Sequence, residues 1–211
     1  KLAQFPYNLV ENDASKKVNG ESLIDFCIKN GLKTFANRPI NTTYQGRVLR
    51  LADYSNEFVN IDFEKEQILF EEFLSLIKRQ LEKFGETSKP DDFAPIKFFI
   101  ENRTNIANPE AVNKAVNSHL LPFIEQLQFI DGKIKTILTE LLNYWVLYSK
   151  KSMTERSLEL KITLQNKSLF IKDDTRDISL IACENYLKNG INHVLVGMRN
   201  KKYVDNLLSL V

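Results

Sequence analysis

Basic residues near the end of the chain follow a short apolar stretch, and their order is typical of an anion site. The stretch Ile191 to Val196 is rich in β-branched residues, which indicates a buried parallel strand. Gly197 ends it, and Arg199 and Asn200 lead into a segment that begins as a helix. Free backbone N–H groups and the positive end of the helix dipole would then face one point, where an arginine fork suits a phosphate. The alternative is an ordinary strand-to-helix turn whose basic residues are solvated.

The same order of residues occurs near the start of the chain. Lys29-Asn30-Gly31 precedes the apolar run Leu32 to Ala36, and Arg38 follows it, just as Lys188-Asn189-Gly190 precedes Ile191. Such a triplet ends a helix because glycine adopts the left-handed conformation found at helix C-termini. Two helix–strand units of this type predict parallel strands with right-handed crossovers, and therefore an α/β fold.

Ligands of parallel α/β folds bind beyond the carboxyl ends of the strands, which selects two segments of this chain as candidate sites. They are Asn37 to Ile40 and Gly197 to Asn200. His119 and His193 have no cysteine or carboxylate at metal-ligand spacing, so we interpret both as structural. The sequence contains no glycine-rich phosphate loop, HExxH motif, nucleophile elbow or CxxC pair.

A long segment with helical periodicity separates the two helix–strand units. Apolar residues recur at helical spacing from Asp62 to Phe84, after Asn108 and again after Gly132. A structureless loop of this length would be implausible in a compact domain. We therefore predict a helical insertion over residues 55–174, and we assign residues 1–54 and 175–211 to the α/β part.

Composition and charge narrow the classes of function. The 211 residues are 43% hydrophobic, which is ample for a core, and the formal net charge of +2 does not suggest a nucleic-acid partner. Cys27 and Cys183 lie in helical patterns as small apolar residues, which favours a reducing compartment, and we expect a cytoplasmic protein. No apolar run approaches a membrane span and no signal peptide opens the sequence, so no membrane partner is expected. A start at Lys1, directly before a strand-like run, suggests a piece of a longer protein.

Three stretches of the chain resemble the last part of an aldo-keto reductase. QFPYNLVE, GLKTFANRPIN and INHVLVGMRNKKYVDNLLSL are similar, in this order, to strands six to eight and the final helix of that family. The resemblance implies an α/β fold that is a partial TIM (β/α)8 barrel, with parallel strands six to eight and a large all-helical insertion before the last βα unit. It also implies an oxidoreductase that moves hydride between NADPH and a small carbonyl or alcohol substrate. Barrels of this kind bind phosphate with the loops after strands seven and eight.

The resemblance assigns cofactor contacts to individual residues. Gln4 matches the strand-six glutamine that binds the nicotinamide carboxamide, and Asn37 matches a tyrosine that stacks on the nicotinamide ring. Asn37 cannot stack as an aromatic ring does, and Arg38 could offset part of the loss by reaching a phosphate. The cofactor-binding residues implied by the resemblance are Gln4, Asn37, Arg38, Pro39, Ile40, Gly197, Arg199, Asn200, Tyr203 and Asn206.

The resemblance covers less than half of the chain, and the family's catalytic residues fall outside it. Those residues lie on the first four strands of the barrel, whereas Lys1 corresponds to a position near the sixth. No residue here is therefore assigned a catalytic role, and the missing N-terminal half of the barrel is an expected partner. A different class of function stays open, namely a non-catalytic barrel relative whose helical insertion binds a protein. The loss of the stacking aromatic at Asn37 favours this alternative slightly.

Overall fold

Parallel strands form the sheet that positions the candidate site. The structure is a computed structural model that describes residues 1–44, 47–59, 61–83, 89–126, 132–197 and 201–210. Its strands are β1 (Leu2–Pro6), β2 (Lys33–Asn37), β3 (Asn41–Tyr44), β4 (Arg47–Arg50) and β5 (His193–Val194). Within the described ranges the order is β1-β2-β5 with both pairs parallel, and Gln4 is in register with Phe35 and His193. The protein is therefore mixed α/β, as predicted, and the partial TIM barrel stays a prediction.

Helices precede β2 and β5 and make up most of the remaining structure. They are α1 (Leu23–Lys29), α2 (Phe63–Lys83), α3 (Ala94–Asn102), α4 (Pro109–Ala115), α5 (Leu121–Gln126), α6 (Gly132–Asn166), α7 (Ile178–Lys188) and α8 (Lys201–Asp205). Helix α1 starts in a capping box, since the Ser22 hydroxyl accepts from the N–H of Asp25 and the Asp25 carboxylate accepts from the N–H of Ser22. The chain leaves α1 and α7 through Gly31 and Gly190, at φ +64° and +91°. Both Lys-Asn-Gly triplets therefore end helices, as predicted.

The two faces of the parallel sheet have different surroundings. Thr34 and Ala36 of β2 are fully buried on one face, and the core of that face includes Ile24 of α1 and Ala182 of α7. Side chains alternate along a strand, so Gln4 and the residues in register with it lie on the other face. That second face is open to solvent in the described part of the chain.

Strands β3 and β4 form an antiparallel hairpin directly after β2, which was not predicted. Thr42 pairs with Leu49, and Leu49 and Leu51 are buried in the core beneath the parallel sheet. The Ser157 hydroxyl of α6 donates to the Arg50 carbonyl at 2.9 Å. The hairpin is thus tied to the same core as β2, at the edge where the candidate site lies.

The region between the two helix–strand units is helical, as predicted, and its helix starts carry side-chain caps. The Asp62 carboxylate accepts from the N–H of Glu64 at 3.0 Å, and the Asn108 side-chain oxygen accepts from the N–H of Ala111 at 2.8 Å. A π turn over Val116–Leu120 joins α4 to α5. We attribute this turn to the proline at position 122, which lacks an N–H and would crowd the carbonyl four residues earlier.

Contacts divide the chain into two compact units. The sheet unit is Lys1–Asp53 with Met153–Val211, and the helical unit is Tyr54–Ser152. The helical unit is shorter than the predicted insertion, residues 55–174, because the second part of α6 packs elsewhere: Leu160 and Leu164 lie in the core of the sheet unit. Within the described residues, none of the helices has both the length and the apolar character needed to cross a membrane.

Candidate functional site

The carboxyl ends of the strands meet at one edge of the sheet. The N–H of Tyr7, just beyond β1, donates to the Asn37 carbonyl at 3.2 Å. On the other side of β2, the N–H of Leu195 donates to the Ala36 carbonyl at 2.9 Å. Parallel strands leave a sheet in the same direction, so this edge carries the segment after β2 together with Gly197, which is exposed.

Arg38 adopts a backbone conformation that is unusual for its residue type. Its φ is +52°, and its side chain is exposed at the edge of the sheet. The left-handed region costs a residue with a side chain about 1–2 kcal/mol, so the surrounding contacts must hold it there. The result is a reversal of the chain in which the N–H of Asn41 donates to the Arg38 carbonyl at 3.3 Å.

The four residues 38–41, which we call the Arg38 turn, direct their carbonyl groups into the sheet unit. The Arg38 carbonyl accepts from the Asn41 N–H and from Asn8 Nδ2, and the Asn41 carbonyl also accepts from Asn8 Nδ2. The Pro39 carbonyl accepts from the Tyr186 hydroxyl, and the Ile40 carbonyl accepts from the Leu51 N–H. Pro39 and Ile40 are buried. Because the negative ends of these peptide dipoles are engaged inside, an anion beside Arg38 would not be repelled by them.

Two of these donors are side chains that the sequence analysis did not single out. Asn8, in the loop after β1, is 1% exposed, and the Tyr186 hydroxyl of α7 donates to the Pro39 carbonyl at 3.0 Å. Burial raises the pKa of Tyr186 well above its usual value, so the phenol keeps its proton. Asparagine after a strand is a turn signal that could have pointed to Asn8. Tyr186 carries no comparable signal, because it continues an ordinary apolar helix face.

The Asn37 side chain contains an unpaired polar atom at the same edge. Its Oδ1 is buried and has no hydrogen-bond partner in the part of the chain that the structure describes. Buried polar atoms in folded proteins nearly always have a partner. Asn37 cannot provide the ring stacking of the aromatic residue it replaces in the resemblance, but this oxygen can accept a hydrogen bond from a bound group.

The remaining predicted cofactor residues differ in their surroundings. Gln4 is exposed on the open face of the sheet, beside Phe35. Asn206 makes a structural contact, since its Nδ2 donates at 3.1 Å to the carboxylate of Asp177, the residue that caps α7. Outside the described residues lie Arg199, Asn200 and the side chain of Tyr203.

The two histidines and Cys183 are further groups that could support chemistry. His193 stacks on Phe35 with 4.5 Å between ring centroids, and His119 is exposed on the π turn. Among the residues that the structure describes, no group of three or more histidine, cysteine or carboxylate side chains could hold a metal ion. Burial raises the pKa of Cys183 to about 12, which removes it as a nucleophile at neutral pH.

A cleft elsewhere in the sheet unit, about 260 Å³ in volume, contains charges that neutralise one another. The guanidinium of Arg176 contacts the carboxylates of Asp174 at 2.7 Å and Glu184 at 2.9 Å, and Lys188 contacts Glu184 at 2.8 Å. The hydrogen bond from Arg176 lowers the pKa of Asp174. These ion pairs attach the loop before α7 to that helix, which gives the charged residues a structural role. The strand-end edge is therefore the better candidate site.

No family model, curated protein or solved structure matches the chain.

Proposed function

We propose that the sheet unit is the cofactor-binding end of an aldo-keto-reductase-like barrel, in an NADP-dependent oxidoreductase that acts on a carbonyl or alcohol substrate. The observation that carries the proposal is the Arg38 turn. It places an exposed arginine at the carboxyl end of a parallel strand and engages its own carbonyl groups inside the protein. Phosphate-bearing ligands of parallel α/β folds bind at strand ends of this kind.

The open face of the sheet supports the barrel in this proposal. Parallel sheets are normally covered on both faces. Here Leu2 is 66% exposed and Leu195 is 42% exposed, while Leu23 and Phe26 expose a further apolar strip on α1, at 45% and 46%. Further strand–helix units, the predicted N-terminal half of the barrel, would cover these apolar surfaces and pair with the edge of β1.

The positions of the site residues suggest how NADPH would lie. Gln4 is on the open face, two residues or roughly 7 Å from the strand ends, where its amide would bind the nicotinamide carboxamide. Along the strand direction, Asn37 lies between the level of Gln4 and the Arg38 turn. Its Oδ1 has no hydrogen-bond partner among the described residues. Arg38 and the segment after Gly197 would contact the phosphates. The chain itself would thus bind and orient the cofactor, and the proposal assigns it no proton-transfer residue.

Fluorescence titration of the full-length protein with NADPH tests the proposal. Arg38→Glu should weaken binding by at least about ten-fold, because charge-assisted contacts to a phosphate typically contribute 1.5–3 kcal/mol. Lys29→Glu is the matched control: its side chain is 75% exposed at the C-terminal end of α1, so it lies at the opposite edge of the sheet. It should change the affinity by less than about two-fold. Equal affinities of the two variants would contradict the proposal.

Arg199→Glu extends the same titration to the predicted contact that lies outside the described residues. It should weaken NADPH binding as Arg38→Glu does, because the resemblance places Arg199 at the adenosine 2′-phosphate. Undiminished binding in this variant would remove Arg199 from the site. The Arg38 turn is tested separately, by the affinity of Arg38→Glu for NADPH.

A non-catalytic relative that uses the helical unit to bind a protein is the second candidate function. Asn37 favours it, because an asparagine cannot replace the ring that stacks on nicotinamide. The helical unit also exposes single large apolar side chains, Val59 at 72% and Ile68 at 65%. Carbonyl-dependent oxidation of NADPH by the full-length protein, with a tyrosine and a lysine on neighbouring early strands, would favour the enzyme. NADPH binding without turnover would favour the relative.

A further inference from the structure

We propose that Asn8 is a positioning residue that holds the Arg38 turn in its anion-binding conformation. This inference rests on the proposed function, since it assigns the turn to a phosphate group. Asn8 lies in the loop after β1, whereas the Arg38 turn follows β2. It is 1% exposed, so its amide contacts are made inside the protein, away from competing water.

The two ends of the Asn8 amide have different partners. Its Oδ1 accepts from the N–H groups of Val10 at 3.0 Å and Glu11 at 2.8 Å, which fixes its own loop. Its Nδ2 donates across to the carbonyl oxygens of Arg38 at 3.4 Å and Asn41 at 3.2 Å. The same nitrogen is held by the Glu11 carboxylate at 2.6 Å. The side-chain oxygen therefore fixes the loop after β1, and the side-chain nitrogen fixes the Arg38 turn.

Loss of the Nδ2 donor would affect the turn more than the loop. Arg38 is in a conformation that a residue with a side chain leaves unless its neighbours hold it. Without the donor, the carbonyls of Arg38 and Asn41 would be buried with fewer partners and would turn toward solvent, where they would repel an anion. The Tyr186 hydroxyl holds the Pro39 carbonyl from α7. Asn8 and Tyr186 thus fix the same turn from two elements.

Asn8→Asp separates these roles, because a carboxylate keeps the two acceptor contacts and removes the donor. We expect calorimetric titration of the full-length protein at pH 8 to show NADP⁺ binding about ten-fold weaker than in the unaltered protein. The introduced carboxyl would face the Glu11 carboxylate, which favours protonation. At pH 5 the protonated form can donate again, so the difference from the unaltered protein should fall to about three-fold or less. Relief by acid would show that the deficit depends on the protonation of this one carboxyl group.

Tyr186→Phe is the second variant, because it keeps the ring that packs edge-on against Tyr7 and loses only the hydroxyl. It should also weaken NADP⁺ binding and should show no relief at pH 5. Amide hydrogen exchange without nucleotide should be faster at Asn41 in both variants than in the unaltered protein. This measurement keeps the test informative if one variant folds poorly.

The outcomes separate the positioning role from the proposed function. Unaltered affinity in Asn8→Asp at pH 8, or a deficit that is the same at pH 5, would overturn the role of Asn8 while leaving nucleotide binding in place. Absence of NADP⁺ binding by the unaltered protein would overturn the proposed function and the ligand role of Asn8 with it. Faster exchange at Asn41 without any effect on affinity would show that Asn8 holds the turn but that the turn does not bind the phosphate.

Discussion

Single polar side chains connect elements in both units, and Glu66 is the clearest case in the helical unit. Its carboxylate is 1% exposed and accepts from the Arg103 guanidinium at 3.0 Å and from the Trp145 indole N–H at 2.8 Å. The Arg103 guanidinium also lies 4.1 Å from the centre of the Phe70 ring. One carboxylate of α2 therefore connects α6 and the residue that ends α3.

Replacing this carboxylate should destabilise the helical unit strongly. We expect Glu66→Gln to lower the free energy of unfolding by about 3 kcal/mol, because Arg103 would lose its buried counter-charge. Glu64→Gln, an exposed position in the same helical turn, is the matched control and should cost less than about 0.5 kcal/mol. Urea unfolding can be followed by the fluorescence of Trp145, the only tryptophan. Coincident unfolding curves for the two variants would refute this role of Glu66.

The sequence indicated which residues end the strands but not what holds them. Arg38 was predicted as a site residue because a basic side chain after a parallel strand is a local pattern. The left-handed conformation of Arg38 and the donors Asn8 and Tyr186 were not predicted. These contacts join residues up to 147 positions apart, and a pattern read along the chain carries no information about such partners.

At the scale of elements, the end of α7 packs tightly against α1. Gly190 ends α7 at φ +91°, and a Cβ at this position would lie 2.9 Å from Ile24 and 3.1 Å from Ile28. Gly20 has nearly the same φ, +90°, with no atom within 4 Å of the corresponding position. The two glycines therefore separate the cost of backbone conformation from the cost of a clash.

Alanine substitutions at these glycines should differ in their effect on the sheet unit. Both should lower the free energy of unfolding by about 1–2 kcal/mol, because alanine is disfavoured in the left-handed conformation. Gly190→Ala should cost about 1–3 kcal/mol more than Gly20→Ala, because its methyl group would displace the two isoleucines of α1. Thermal unfolding monitored by circular dichroism would give both values. A larger loss in Gly20→Ala would contradict the close packing of α1 against α7.

Elements with strong local signals were predicted, and elements that depend on the tertiary structure were not. The Asn108 cap and the two Lys-Asn-Gly stops act on neighbouring backbone groups, so the sequence shows them directly. The β3–β4 hairpin has strands of only four residues, and the sequence between them contains no Asn-Gly or Asp-Gly pair. Helix α6 is continuous, and apolar spacing along it does not reveal which core Leu160 joins.

At the scale of the whole molecule, the described residues of the sheet unit leave apolar surface exposed. One face of the sheet is open, and an apolar cavity of about 340 Å³ lies beside the edge strand β5, lined by Leu187, Val194 and Leu207 among others. Composition and periodicity predicted the α/β class and the helical region. The barrel stays a prediction, because its closure would need strand pairings beyond those of the described residues.

The most direct test of the account is a crystal structure of the full-length protein with NADP⁺. The account predicts a phosphate group within hydrogen-bond distance of the Arg38 guanidinium, at the carboxyl ends of β1 and β2, with the nicotinamide near Gln4. A cofactor bound within residues 54–152, or at the edge of the sheet where the strands begin, would contradict it.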